Sequence, residues 1–203
     1  MAAGRAVRGT AMGLFVAIGM AAGQAGATGL MATGGYTSQP IGHYEFCKKW
    51  PRECAQRPTD NGPEHMSSGL MRRLASVNRS VNGSVKPLND VDIYGVNELW
   101  TYPAKGIGDC EDFVLEKRRR LSATGISLAN LLITVVRKRD GEGHAVLTVR
   151  TDEGDYILDN LNNDVKLWSH TSYRYLKRQA SNHTGRWVTL RGENNLLVGA
   201  VQQ

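Results

Sequence analysis

The 203-residue chain has only three cysteines, five histidines and six prolines, and aromatic residues make up 7% of it. Its cysteines form neither a Cys-x-x-Cys pair nor a set with a second pair of ligands, which argues against a dithiol redox centre and a zinc ribbon. Beyond the N-terminus there is no second apolar run of membrane-spanning length. No internal repeat is visible. The basic run at residues 117–120 has no interleaved aromatics, so it reads as a solvated helix face and not as a nucleic-acid site. What remains is ordinary. With 41% hydrophobic and 22% charged residues and a net charge of +6, the composition fits one compact globular domain and excludes wholesale disorder.

The basic excess starts where a targeting segment is expected. Arg5 and Arg8 precede an apolar stretch at residues 11–22, and Ala25-Gly26-Ala27 supplies a small-x-small pattern. Twelve residues reach about 18 Å as a helix, short of the roughly 30 Å of a bilayer core. Residues 1–27 therefore read as a cleavable secretory signal rather than an anchor, which places the protein in the periplasm. Its removal lowers the net charge to about +4.

Export changes how the cysteines read. Cys47 and Cys54 lie seven apart with Pro51 between them. In an oxidising compartment they can close a small loop; the alternative is two buried thiols. Cys110 is left over, and an odd thiol in such a compartment asks for a functional explanation.

Residues 28–62 are rich in Gly, Pro, Thr and Ser and read as an irregular N-terminal arm, followed by the main domain at 63–203. Within 64–82, Leu70, Leu74, Val77 and Val81 fall on one helix face, and Pro87 blocks its continuation. Residues 88–108 are loop-like. Asp109 opens a second helix, with Glu111 and Asp112 in its first turn, basic residues later and Gly125 as a stop. Phe113, Val114, Leu121 and the stem of Lys117 share its buried face. The period then changes to strands at 131–138, 144–150, 155–160 and 186–190, with hairpin-type separators at 140–143 and 151–154. Helices first and antiparallel strands afterwards predict an α+β fold.

Cys110 falls in the first turn of the second helix, where free N–H groups and the helix dipole favour a thiolate. The flanking acids work against it unless a cation offsets them. A nucleophilic thiol needs a base, and the base needs an orienting group. Of His43, His65, His144, His170 and His183, only His144 begins a strand directly after a Gly-rich turn. If Arg150 pairs with Asp155 across the hairpin, His144 and Asp159 become diagonal neighbours, about 7–8 Å apart at Cα and on one face. A one-residue slip of register would separate them. Each residue also has a plain reading: Asp109 and Asp112 as a cap, Cys110 as a small buried thiol, His144 and Asp159 as turn formers.

The blocks Gly108-Asp109-Cys110-Glu111-Asp112-Phe113, Gly143-His144-Ala145-Val146-Leu147 and Tyr156-Ile157-Leu158-Asp159-Asn160-Leu161, with Tyr94-Gly95, Trp100-x-x-Pro103 and the Cys47/Cys54 pair, resemble the bacterial transglutaminase-like cysteine peptidases. The resemblance implies a papain/transglutaminase-like fold. It implies Cys110 as nucleophile, His144 as base and Asp159 as the residue orienting it, with a peptide bond hydrolysed through a thioester. The Cys110 backbone N–H is a natural oxyanion donor, and Asn97 and Trp100 are candidates for a second. It further implies a protein substrate such as a surface adhesin or other envelope protein, a possible regulatory membrane receptor, and calcium held by Asp109, Glu111 and Asp112, with no organic cofactor. Two readings compete: an amine-accepting acyl transferase with the same triad, and a non-catalytic envelope binding module on the same fold.

Overall fold

The computed structural model describes residues 29–103 and 105–191, together with residues 1, 2 and 4. The signal-peptide reading of residues 1–27 falls almost entirely outside the described residues. In chain order the elements are β1 (Ala32–Thr37), α1 (Ile41–Lys49), α2 (Pro51–Cys54), α3 (Ser68–Ser84), β2 (Lys86–Pro87), α4 (Asp90–Tyr94), β3 (Ile107–Gly108), α5 (Cys110–Ser122), β4 (Leu131–Arg137), β5 (Gly143–Thr151), β6 (Gly154–Leu158), β7 (Lys166–Leu167), β8 (Arg174–Ala180) and β9 (His183–Arg191). Seven strands form one antiparallel sheet in the order β1-β9-β8-β4-β5-β6-β7. The α+β class expected from the sequence is the one observed.

The central strand β4, LLITVVR, is β-branched and almost wholly buried, as a strand covered on both faces must be. One cover is helical. Leu74 of α3 and Val114, Leu115 and Leu121 of α5 join Leu131, Ile133, Leu147 and Leu158 in one apolar cluster. The opposite face holds a smaller cluster of Met31, Val136, Val146, Ile157, Tyr175 and Leu190. Each fully buried aliphatic side chain here contributes about 1.5–3 kcal/mol of transfer free energy.

Helix α3 starts on Ser67, whose hydroxyl accepts from the Leu70 N–H, and buries Leu70, Leu74, Asn78 and Val81. Leu70, Leu74 and Val81 of the predicted stripe are buried, Val77 is half-buried, and Asn78 joins the buried face. Helix α5 is buried along most of its length, and this corrects the reading of 117–120 as a solvated face. Lys117 and Arg118 are both buried, because α5 runs between α3 and the sheet; only Arg119 is exposed and Arg120 partly so.

Of the segment read as an irregular arm, residues 32–54 carry regular elements. They supply the edge strand β1, paired with β9, and two short helices joined by the Cys47–Cys54 disulfide, whose Cα atoms are 5.6 Å apart. The strand ATGGYT is a poor strand former on its own, and pairing with β9 imposes the conformation. Strand β8 was also not anticipated. Its sequence, RYLKRQA, turns Arg178 inward to pair with Asp155 at 2.8 Å, so its polarity pattern hides its burial.

The β5–β6 hairpin sets the register on which the site depends. Arg150 pairs with Asp155 and Leu147 with Leu158, as the sequence predicted. The turn is tighter than the four residues expected, because Thr151 also pairs with Gly154. Gly154 has φ +134°, a conformation open to glycine, and an added Cβ there would lie 2.8 Å from Leu167 Cδ2 and 2.9 Å from the Gly29 carbonyl oxygen.

Candidate active site

Cys110 is the first residue of α5 and the only free cysteine among the described residues, half-buried at the helix N-terminus. Asp109 precedes it in extended conformation but makes no side-chain cap bond, which leaves the helix N–H groups unclaimed by that carboxylate. The thiol donates to Glu111 Oε2 at 3.1 Å. From the sheet, the backbone N–H of Ala145 faces the sulfur. Burial, and after it the Glu111 carboxylate, push the Cys110 thiol well above its ordinary pKa, while the Ala145 N–H works the other way.

Helix α5 packs on β5, the strand that carries His144. The imidazole is buried, and its Nε2 lies 2.9 Å from Asp159 Oδ1. Asp159 follows the last residue of β6, and the pairing that the hairpin imposes brings it diagonally across from His144. Its Oδ1 also accepts from the Leu161 N–H at 3.0 Å, and its Oδ2 accepts from the Tyr173 hydroxyl. Burial alone would raise the Asp159 pKa, but the hydrogen bonds from His144, Tyr173 and Leu161 hold it below the usual carboxylate range. Helix α3 pins the turn from behind. The side-chain amide of Asn82 donates to the Asp159 carbonyl oxygen at 2.9 Å, and that of Asn78 to the Asn162 carbonyl oxygen at 2.8 Å.

Tyr173 was missed by sequence reasoning. It sits just before the unforeseen β8, and nothing in its spacing marks it. Its ring lies 5.6 Å from that of His144, tilted by 55°, so it covers the imidazole while binding the carboxylate. Of the two oxyanion candidates, Trp100 is buried and its indole N–H is already given to Glu98 Oε1 at 2.7 Å; Asn97 is exposed.

A second group of acids adjoins the thiol. One oxygen each from Asp90, Asp109 and Asp112 lie within 4.8 Å of one another. Asp109 and Asp112 come together as expected, whereas Glu111 turns to the thiol and Asp90 of α4 takes the third place. Asp90 lay in a segment read as a loop. Asp90 Oδ2 accepts from the Leu99 N–H and Asp112 Oδ1 from the Thr101 N–H. Asp90 Oδ1, Asp109 Oδ1 and Asp112 Oδ2 are buried without a hydrogen-bond partner. Among the described residues, none of these acids has a Lys or Arg partner. Burial raises all of them, Asp112 to about 8, with mutual repulsion adding to the effect at Asp109 and Asp112. Gly108 makes room for the group, since a Cβ there would fall 2.5 Å from Asp112 Oδ2. Converging, unpartnered carboxylate oxygens are the donor set a hard divalent cation requires.

A thiol at a helix N-terminus, packed on an antiparallel sheet beside a histidine–carboxylate pair, is the arrangement of papain-like and transglutaminase-like cysteine peptidases. Comparison with protein families narrows the class. The profile of the bacterial transglutaminase-like cysteine proteinases (BTLCP) matches residues 33–195, and the chain belongs to that family. It is a cysteine protease of the transglutaminase-like type. The fold is similar to that of Legionella pneumophila LapG in its calcium-bound form (24% identity, 80% of this chain and 88% of that one, TM-score 0.51) and in its EGTA-treated form (22% identity, 79% and 87%, TM-score 0.50). No curated protein sequence matches the chain significantly.

Proposed function

We propose that the chain is an exported cysteine endopeptidase that hydrolyses a peptide bond in an envelope or surface protein, with Cys110 as nucleophile, His144 as base and Asp159 as its orienting partner. One arrangement carries this reading: Asp159 takes Nε2 of His144, and Cys110 opens α5 as the free thiol at a helix N-terminus packed on the strand that bears His144. Nδ1 is then the nitrogen left for the thiol. In the first half-reaction the Cys110 proton passes to His144 as sulfur bonds to the carbonyl carbon. The Cys110 backbone N–H stabilises the oxyanion. His144 returns the proton to the departing amine as the C–N bond breaks, leaving a thioester. A water then gives its proton to His144 and attacks the thioester; the C–S bond breaks, and the thiol recovers the proton. Asp159 fixes the imidazole tautomer and offsets its charge between the two transfers.

Asp90, Asp109 and Asp112 are proposed to hold calcium, in line with their orphaned oxygens and with the calcium-bound form of the Legionella protein. When bound, the ion supplies positive charge that offsets the acids opposing thiolate formation. Chelation by EGTA is expected to lower both the thermal midpoint and proteolysis, and calcium to restore them. Unchanged values would remove the ion from the scheme.

Residues 1–27 are proposed as a leader removed on export, leaving a single papain-like domain in the periplasm whose substrate is a surface adhesin or another envelope protein. The test compares envelope and secreted proteins from cells carrying the wild-type chain with those from cells carrying Cys110→Ala. Wild-type cells should yield a shortened surface protein whose new terminus marks the cleavage site. Cys110→Ala should abolish it with the thermal midpoint nearly unchanged. Identical protein profiles would sink the proposal.

A further inference from the structure

One cavity lies apart from the thiol and its acids. It measures about 250 Å³, and Thr33, Arg150, Arg178 and Asn182 are among the residues lining it. Strand register places it. Arg178 pairs with Thr134 and Thr134 with Val146, so the Arg178 side chain lies on the sheet face of Val146 and Ile157, away from α5. Arg150 shares that face, directly across from Asp155. It is six residues along β5 from His144, about 20 Å at strand rise.

The two guanidiniums are held alike. Arg178, only 7% exposed, gives Nη1 to Asp155 Oδ2 at 2.8 Å. Arg150 gives Nη1 to Asp60 Oδ2 at 2.9 Å and to the Ala129 carbonyl oxygen at 3.1 Å. Among the described residues neither has a partner at Nε or Nη2, and Arg178 Nε is buried without one. Nε and Nη2 form the parallel edge with which arginine grips an oxyanion in two bonds. A buried N–H left unmatched costs free energy until something accepts from it.

We propose that this cavity is a binding site for a small tetrahedral oxyanion, a phosphate or sulfate group, gripped by the unused edges of Arg150 and Arg178. The two arginines come from different strands. Thr33 of β1 and Asn182 of the β8–β9 turn, both exposed, add a hydroxyl and an amide from other directions. Donors spread in this way suit a tetrahedral group better than the plane of a carboxylate. Asp60 and Asp155 already balance the two cations, so the grip comes from directed hydrogen bonds rather than from net charge, and a dissociation constant of about 1 mM is expected. The bound anion ties β1, β5 and β8 together at the end of the sheet remote from His144.

Isothermal titration of the full chain with sodium phosphate, with chloride holding the ionic strength constant, tests this. One saturable site is expected, for which sulfate competes and acetate does not. In proton–nitrogen NMR spectra, phosphate should shift the Arg178 Nε–H resonance. Arg150→Lys keeps the charge but removes the parallel edge, and should weaken phosphate binding by about tenfold or more. Asn182→Ala, in an exposed turn, should weaken it less. No saturable heat up to about 20 mM phosphate, well past the expected constant, overturns the proposal. So does binding that leaves the Arg178 resonance unmoved, that acetate matches, or that Arg150→Lys retains in full, since the anion then sits elsewhere or meets only general positive charge. None of these readouts depends on proteolysis, so their failure leaves the Cys110 reading untouched.

Discussion

Two histidines are buried in this fold, and their surroundings differ. His43 lies in α1 between the edges of Trp100 and Trp187, with ring centroids 5.2 and 5.3 Å away. Its Nδ1 accepts from the Trp187 indole N–H at 3.2 Å, and the side-chain amide of Gln179 stands 3.3 Å from Nε2. The disulfide closes the pocket, with Cys47 Sγ 3.6 Å from Nδ1 and Cys54 Sγ 3.9 Å from Nε2. Among the described residues, no carboxylate is bonded to it. Burial, and after it the Arg118 guanidinium, push its pKa down to about 3. His144 is buried too, but it meets the Asp159 carboxylate at one nitrogen. Burial by itself makes a histidine a neutral wedge; an anion fixed at one nitrogen lets the ring accept a proton at the other.

The largest effects should separate the two residues. His144→Ala should lower proteolysis by about 10³-fold or more with little change in thermal midpoint. His43→Ala should do the reverse, costing about 3 kcal/mol by chemical denaturation while activity per folded molecule is kept. Similar losses of stability for both would erase the contrast. Opening the disulfide with Cys47→Ser and Cys54→Ser should cost about 2–3 kcal/mol through the freed unfolded chain. It sharpens the comparison further, because it admits water to the His43 pocket and leaves His144 alone.

The smallest effect is a pH slope. His43 is neutral when folded down to about pH 3, whereas the unfolded residue protonates near 6.5. Below 6.5 the unfolded chain binds the extra proton, so stability falls as pH drops through the window from 6.5 to 3. The loss should reach about 2 kcal/mol by pH 5, and His43→Gln should flatten that limb. A limb of unchanged slope in the variant would assign the acid loss to other groups.

Much of this arrangement was legible in the sequence where one physical signal dominated. The spacing of Leu70, Leu74 and Val81 marked α3, and the acids after Asp109 with the later basic residues marked α5. The hairpin register placed His144 beside Asp159 because side chains alternate strictly along a strand. The losses came where tertiary context overrode local pattern. The Gly-Gly pair of β1 becomes a strand only through β9. Arg178 disguises β8 as a surface segment until its pairing with Asp155 is seen, and Tyr173 was lost with it. Asp90 resembles an ordinary surface charge, and the helix pattern buried only the stem of Lys117; the packing of α3, α4 and α5 encloses both carboxylate and ammonium.

The two-residue turn between Thr151 and Gly154 lies seven residues from His144 along β5, about 23 Å at strand rise. Strand alternation carries its length to the far end of the hairpin. One extra or missing residue there would turn Asp159 to the opposite face of the sheet. A single-codon insertion at this exposed tip is therefore equivalent to deleting the carboxylate, while a substitution of its exposed side chains is not. The turn tolerates changes in its spelling but not in its count.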